Sequence, residues 1–356
     1  MALRDFSDVS YLPLLGLRPS EMDAVEQLAS KSKDSLLPYF FLGPWVGSHT
    51  LDRSTERIQK AYPDRPYLLE LPVTGVVEKP REVHDQLDQL RLPADGYANW
   101  AAFIGENTNA IPVVQLADLD QLDEQLYRLA SLERGIAVRL PEEAFGVAQG
   151  IATRIGGYFS SSDVLIVLDH ARQTRELLVR QAVGVSLSSN IADSLPGCRV
   201  AWSASSFPSS FVGISAQDIY ERQFFNGVQD QLPDIPLLYS DRGSAKAEKQ
   251  NGGGGTPAPR VDFAQSSGWS FFREEDNGDR QAAYRDAALN AMDAECWDDD
   301  LKVWGTQMIE RTSQGDEYAI KSPATSTAAR INIHLHQQLC YNDPDALYAT
   351  EEEWSD

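Results

Sequence analysis

Apolar residues recur in short runs along the first two thirds of the chain, and stretches of helical spacing separate most of them. The runs are Tyr11 to Leu17, Leu36 to Leu42, Tyr67 to Leu71, Ile111 to Leu116, Gly135 to Leu140, Val164 to Leu168, Arg199 to Trp202 and Ile235 to Tyr239. Continuous apolar runs of this length suit strands buried on both faces, as parallel strands are. Between them, Pro19-Ser20-Glu21 opens a helix whose Met22, Val25 and Leu28 share one face. Leu119, Leu122, Leu126 and Leu129 repeat that pattern after the fourth run. Eight strand-like runs alternating with helical patterns predict an α/β fold of the parallel (β/α)8, TIM-barrel-like type. No glycine-rich turn follows the first run, which argues against an open dinucleotide-binding sheet. The barrel is expected as a single large domain over residues 1–356, longer than the ~250 residues typical of the fold because of insertions.

One segment breaks the pattern. Residues 242–259 read RGSAKAEKQNGGGGTPAP, a composition that buries no apolar surface and predicts a flexible glycine-rich loop. Beyond it come the aromatic residues Trp269, Phe271 and Phe272, then helical patterns over Tyr284 to Met292, Leu301 to Ile309 and Ala328 to Cys340. Residues 346–356 end the chain as an acidic tail.

Composition narrows the function. At 42% hydrophobic and 24% charged residues, the chain is expected to fold and to bury a substantial core. The formal net charge of −22 argues against generic nucleic-acid binding, which rests on cationic contacts. Cys198, Cys296 and Cys340 are scattered and odd in number, which suits a reducing compartment. Neither a signal peptide nor a membrane-length apolar run is legible, so a cytoplasmic location is expected.

Candidate chemistry is positional, because dinucleotide, Walker A, HExxH, CxxC and GxSxG motifs are all absent. No cofactor is therefore assigned. In barrel enzymes the polar groups at the C-terminal ends of strands build the active site. Glu70, Arg139, Asp169 and Asp241 hold such positions and are the catalytic candidates. Gln115, Ser203 and Ser205 fall at strand ends as well, and are binding candidates. Charges inside strands need partners, so Glu70 and Arg139 are expected to pair, either as a structural ion pair or as part of a site. Asp169 reads equally as an N-cap of the next helix. Ser203 and Ser205 lie in WSASSFPSSF, a turn-rich stretch whose hydroxyls commonly bond their own backbone. His334 and His336 sit two apart in a helical pattern and so point in different directions, which excludes joint chelation. No metal site is assigned, although Glu70, Asp169 and Asp241 would suit Mg²⁺ if they converged.

The opening YLPLLGLRPSEMDAVEQLA and LLPYFFLGP resembles that of the Beta protein family, found in phages, prophages and bacterial mobile islands. Tyr11, Pro13, Glu21 and Pro38 carry the match. AIPVVQLA, GIAVRL, VLIVLDH, VAWSASSFP with Glu221-Arg222, and LLYSDRG ending its strand at Asp241 follow in order. NIHLHQQL corresponds to the family's terminal His-rich helix; His334 and His336 within it, and Arg222 of the Glu221-Arg222 match, are further binding candidates. Two departures stand out: the glycine tract after Asp241, and Leu335 between the two histidines. The resemblance implies a barrel-like fold and a mobile-element setting, and carries no activity.

Two functions are open to such a chain. One is an interaction protein in phage–host conflict that binds a host or phage protein, with the acidic charge steering it to a basic partner surface or imitating nucleic acid. The other is a hydrolase-like barrel enzyme using the strand-end polar groups. A polar pocket at the strand ends favours the second, and a contiguous acidic face the first.

Overall fold

The computed structural model describes residues 3–73, 77–246 and 256–350. Its strands are β1 (Tyr11–Gly16), β2 (Tyr39–Phe41), β3 (Tyr67–Glu70), β4 (Ala110–Pro112), β5 (Ile136–Pro141), β6 (Val164–Arg172), β7 (Arg199–Ser205), β8 (Ala216–Asp218), β9 (Leu237–Asp241), β10 (Arg260–Ala264) and β11 (Gly268–Arg273). By packing, the chain divides into two compact units, where the sequence reading drew one domain.

The first unit holds residues 1–18, 35–205 and 220–242. Its eight strands form one parallel sheet in the order β4-β3-β2-β1-β9-β7-β6-β5. The ends meet where Val113 bridges Ala137 in parallel and the Val114 N–H donates to the Ala137 carbonyl at 2.9 Å. Followed around the ring, the strands keep chain order, as expected of a (β/α)8 barrel. All eight apolar runs have become its strands. The helices between them bury the faces their spacing promised: Leu122, Leu126 and Leu129 are each fully buried in the helix Leu122–Ala130. Leu119 departs from that expectation. It lies in the preceding 3-10 turn, Leu119–Gln121, off the helical face, and is 41% exposed.

Inside the barrel, Leu12, Leu14, Leu68, Ile111, Val113, Ala137, Leu165, Val167, Ala201 and Leu238 form one apolar cluster. Phe6 and Val9, just ahead of β1, belong to the same cluster at 1% exposure each. They therefore stopper the end of the barrel from which the parallel strands start.

The second unit comprises residues 19–34, 206–219 and 243–356. It contains an antiparallel sheet, β10-β11-β8, and the helices Pro19–Glu26, Arg280–Met292, Trp304–Ser313 and Pro323–Leu339. Phe263, Trp269, Tyr284, Ile309 and Ile333 lie in its core. Of the segment read as a flexible loop, residues 247–255 lie outside the described residues. Its start needs correcting: Arg242 pairs with Asp169, and Ser244 and Ala245 are buried. Ionic pairing overrides the polar composition there. The short helix Pro344–Leu347 runs into the start of the acidic tail, of which residues 351–356 lie outside the described residues. No described helix is long and apolar enough to cross a membrane.

Candidate functional site at the barrel mouth

Strand alternation decides which side chains enter the barrel, because residues two apart share a face. Leu68, Ala137, Val167, Ala201 and Leu238 belong to the interior cluster. Glu70, Arg139, Asp169, Ser203 and Ser240, each two residues further on, face the same interior at the C-terminal ends of β3, β5, β6, β7 and β9.

Arg139 is the hub of this mouth. Its Nε and Nη2 each donate to Glu70 at 2.7 Å, and its Nη1 donates to Asp169 Oδ2 at 2.9 Å. The Tyr39 hydroxyl donates to Glu70, and Arg242 donates through Nη2 to Asp169 Oδ2. Both guanidiniums stack on the Phe41 ring, with their central carbons 5.4 and 4.9 Å from its centre. Burial works against the charge on Arg139. Its bonds to Glu70, and the charges of Glu70, Tyr39 and Asp169, outweigh that and raise its pKa above the ordinary arginine value. Burial and then the Glu70 charge push the Tyr39 phenol well up, so it stays neutral and donates.

The backbone is specialised beside Asp169. The β6–β7 register shifts between Asp169 and Arg172, and Ala171 adopts a φ of +54°. This bulge turns the Ala171 N–H onto Asp169 Oδ1 at 2.9 Å. Asp169 is thus a strand residue and not a helix N-cap; the next turn, Arg175–Arg180, takes its cap from Thr174.

Ser203 and Ser240 face each other across β7 and β9, and Ser203 also stands opposite Asp169. Both hydroxyls are buried without a hydrogen-bond partner, as is Arg242 Nε. The backbone-bonded serine expected in a turn is therefore not seen at Ser203, because β7 runs on through it to Ser205. Ser205 is buried, and its carbonyl accepts from the Gln173 N–H at 2.9 Å.

The remaining candidates lie elsewhere. Asp241 follows Ser240 on β9 and so takes the opposite face of the barrel wall. There it accepts from the hydroxyls of Tyr11 at 2.5 Å and Tyr239 at 2.9 Å. Arg222, from the helix Tyr220–Gln229, covers the Tyr239 ring at 3.2 Å. Burial, then the Asp241 charge, raises the pKa of both tyrosines. The trio Glu70, Asp169 and Asp241 therefore does not converge, and no cluster suited to a metal ion forms among the described residues. Gln115 is spent on scaffolding: its backbone pairs with the Gln125 side chain at 2.8 and 2.9 Å, and its Nε2 donates to the Leu90 carbonyl at 3.2 Å. His334 and His336 are buried in the second unit on the helix Pro323–Leu339. His334 stacks on Trp269 at 5.8 Å, and His336 meets Ser32 Oγ at 3.3 Å and the Leu347 carbonyl at 2.9 Å.

Sequence reasoning missed Tyr39, Phe41, Ser240 and Arg242. Period-two counting from Leu238 would have flagged Ser240, and from Leu37 would have flagged Tyr39 and Phe41.

Residues 11–340 match the family described as Beta protein. The chain is 26% identical over 345 residues to Protein beta of Enterobacteria phage P4, which covers 94% of each. Among solved structures it is similar to the carboxyl transferase domain of Rhizobium etli pyruvate carboxylase, bound to pyruvate and biocytin, at 6% identity and a TM-score of 0.39. The complete multifunctional enzyme from the same organism gives 7% and 0.38. The match takes in 99% of this chain in both cases, but only 50% and 29% of those chains.

Proposed function

Because the chain belongs to the Beta protein family, we propose that it acts by binding a protein of the host or of a phage, in the bacterial or phage-infected cytoplasm. One observation carries this reading over catalysis. Where barrel enzymes keep their acids and bases, Glu70 and Asp169 are already engaged. Each oxygen of Glu70 accepts from Arg139, one of them from Tyr39 as well, and each oxygen of Asp169 accepts from Arg139, Arg242 or Ala171. A carboxylate saturated by charge-assisted bonds is a poor proton shuttle. The −22 net charge favours a partner with a basic surface, recruited by long-range attraction.

The test is affinity capture from host and phage-infected lysates, followed by titration of the purified captured protein. One basic protein is expected, bound in stoichiometric amount and released progressively as salt rises. A partner without a basic surface, salt-insensitive binding, or no partner at all overturns the reading.

A second reading, a hydrolase-like enzyme, is supported by the buried hydroxyls of Ser203 and Ser240 at the catalytic end of the fold. It requires turnover of an ester or phosphoester panel that disappears in Glu70→Gln or Ser203→Ala.

A further inference from the structure

We propose that the barrel mouth binds the carboxylate or phosphate group of a free small molecule, held by Ser203 Oγ, Ser240 Oγ and Arg242 Nε. The proposal stands apart from protein binding and holds whichever partner the chain has.

Three polar atoms within two adjacent segments of chain are buried with no partner. Ser203 and Ser240 are 1% and 0% exposed, and stand opposite each other in register. Both point inward, since Ala201 and Leu238, two residues before them, lie in the interior cluster. Arg242 continues from the end of β9 and is fixed by two contacts, its bond to Asp169 and its stacking on Phe41. Its guanidinium therefore presents Nε–H from a held position. Folded proteins leave few buried polar groups unsatisfied, and an ion or ligand that completes them is one physical explanation where they occur side by side.

The chemistry of the three atoms selects the ligand. Arginine Nε–H only donates, and a serine hydroxyl donates readily to an anionic oxygen. A carboxylate or phosphate offers four or more acceptor positions, enough to take all three donors at once. The guanidiniums of Arg139 and Arg242 balance the carboxylates of Glu70 and Asp169, so the mouth does not itself repel an anion. Beneath it the interior is filled by Leu14, Val167 and Leu238, which restricts the guest to a small group.

The experiment is isothermal titration calorimetry of the full chain with inorganic phosphate and, separately, with malonate, at constant ionic strength. Saturable binding of at least one anion is expected. In the Ser203→Ala/Ser240→Ala double variant the dissociation constant should rise about tenfold or more. That variant deletes only unpartnered hydroxyls, so circular dichroism should show it folded. Arg242→Lys keeps the charge but loses Nε–H, and should weaken binding in the same direction. Which anion binds separates phosphate from carboxylate chemistry. Absence of heat with either anion overturns the proposal. So does binding that the double variant retains, which would mark an adventitious ion only. Neither result bears on capture of a protein partner, so the two proposals fail separately.

Discussion

Arg139 on β5 reaches past the intervening strand β4 to grip both carboxylate oxygens of Glu70 on β3, each at 2.7 Å. This fork-to-fork contact links β3 to β5 across β4, whose own pairing with β5 is the single bridge Val113–Ala137. Arg139→Met leaves Glu70 with only Tyr39, and is expected to cost about 3–5 kcal/mol by stranding a buried charge. Glu70→Leu leaves Arg139 its Asp169 partner, and should cost less, about 1–3 kcal/mol. The Glu70→Leu/Arg139→Met double variant should lose less than the sum of the singles, with a coupling of about 1–3 kcal/mol. Urea denaturation of the three variants measures this. Additive losses would show that the pair is energetically independent.

Ser203→Ala and Ser240→Ala point the other way. Each removes a buried hydroxyl that meets no partner, so each should leave stability unchanged or raise it by up to about 1 kcal/mol. A loss above about 1 kcal/mol in denaturant would mean that the hydroxyl is satisfied within the folded chain.

Ala171 tests the bulge. A side chain at φ +54° is strained, and glycine is not. Ala171→Gly should therefore be neutral or stabilising by up to about 1 kcal/mol, despite the extra freedom it confers on the unfolded chain. Ala171→Val should cost about 1–3 kcal/mol, because a β-branched residue tolerates this region poorly. Equal melting temperatures for the two variants would remove strain from the account of how Asp169 is held.

Acid sensitivity follows from two buried histidines. His170 is packed among Phe145, Trp202 and Phe224, and His336 lies in the core of the terminal helix. Burial lowers the pKa of both; the Glu142 carboxylate opposes that shift at His170, and the Leu347 carbonyl opposes it at His336. As pH falls below about 6.5 the unfolded chain takes up protons before the folded one does. Stability is therefore full above about pH 6.5 and declines as pH drops towards the folded values. Melting temperatures from about pH 8 to about pH 5.5 should fall, and His170→Phe should make that fall shallower. A flat profile for the wild-type chain would refute neutral burial of these rings.

The barrel was legible because its strands are buried on both faces, so each one reads as an unbroken apolar run. Convergence of Glu70, Arg139 and Asp169 was legible for a related reason: a charge inside such a run must find a countercharge. Asp241 misled because strand-end position says nothing of which face a residue takes, and a shift of one residue reverses it. The β10-β11-β8 sheet was missed because β8, Ala216–Asp218, is short and exposed, and carries no apolar alternation. Arg242 was hidden by its neighbours, whose loop-like composition masked one charge that packs inward.

The stopper formed by Phe6 and Val9 is continuous with the packed interior, so the barrel is solid from the end where its strands start up to the mouth. A guest held by Ser203 and Ser240 would therefore be confined to the mouth, above Leu14, Val167 and Leu238.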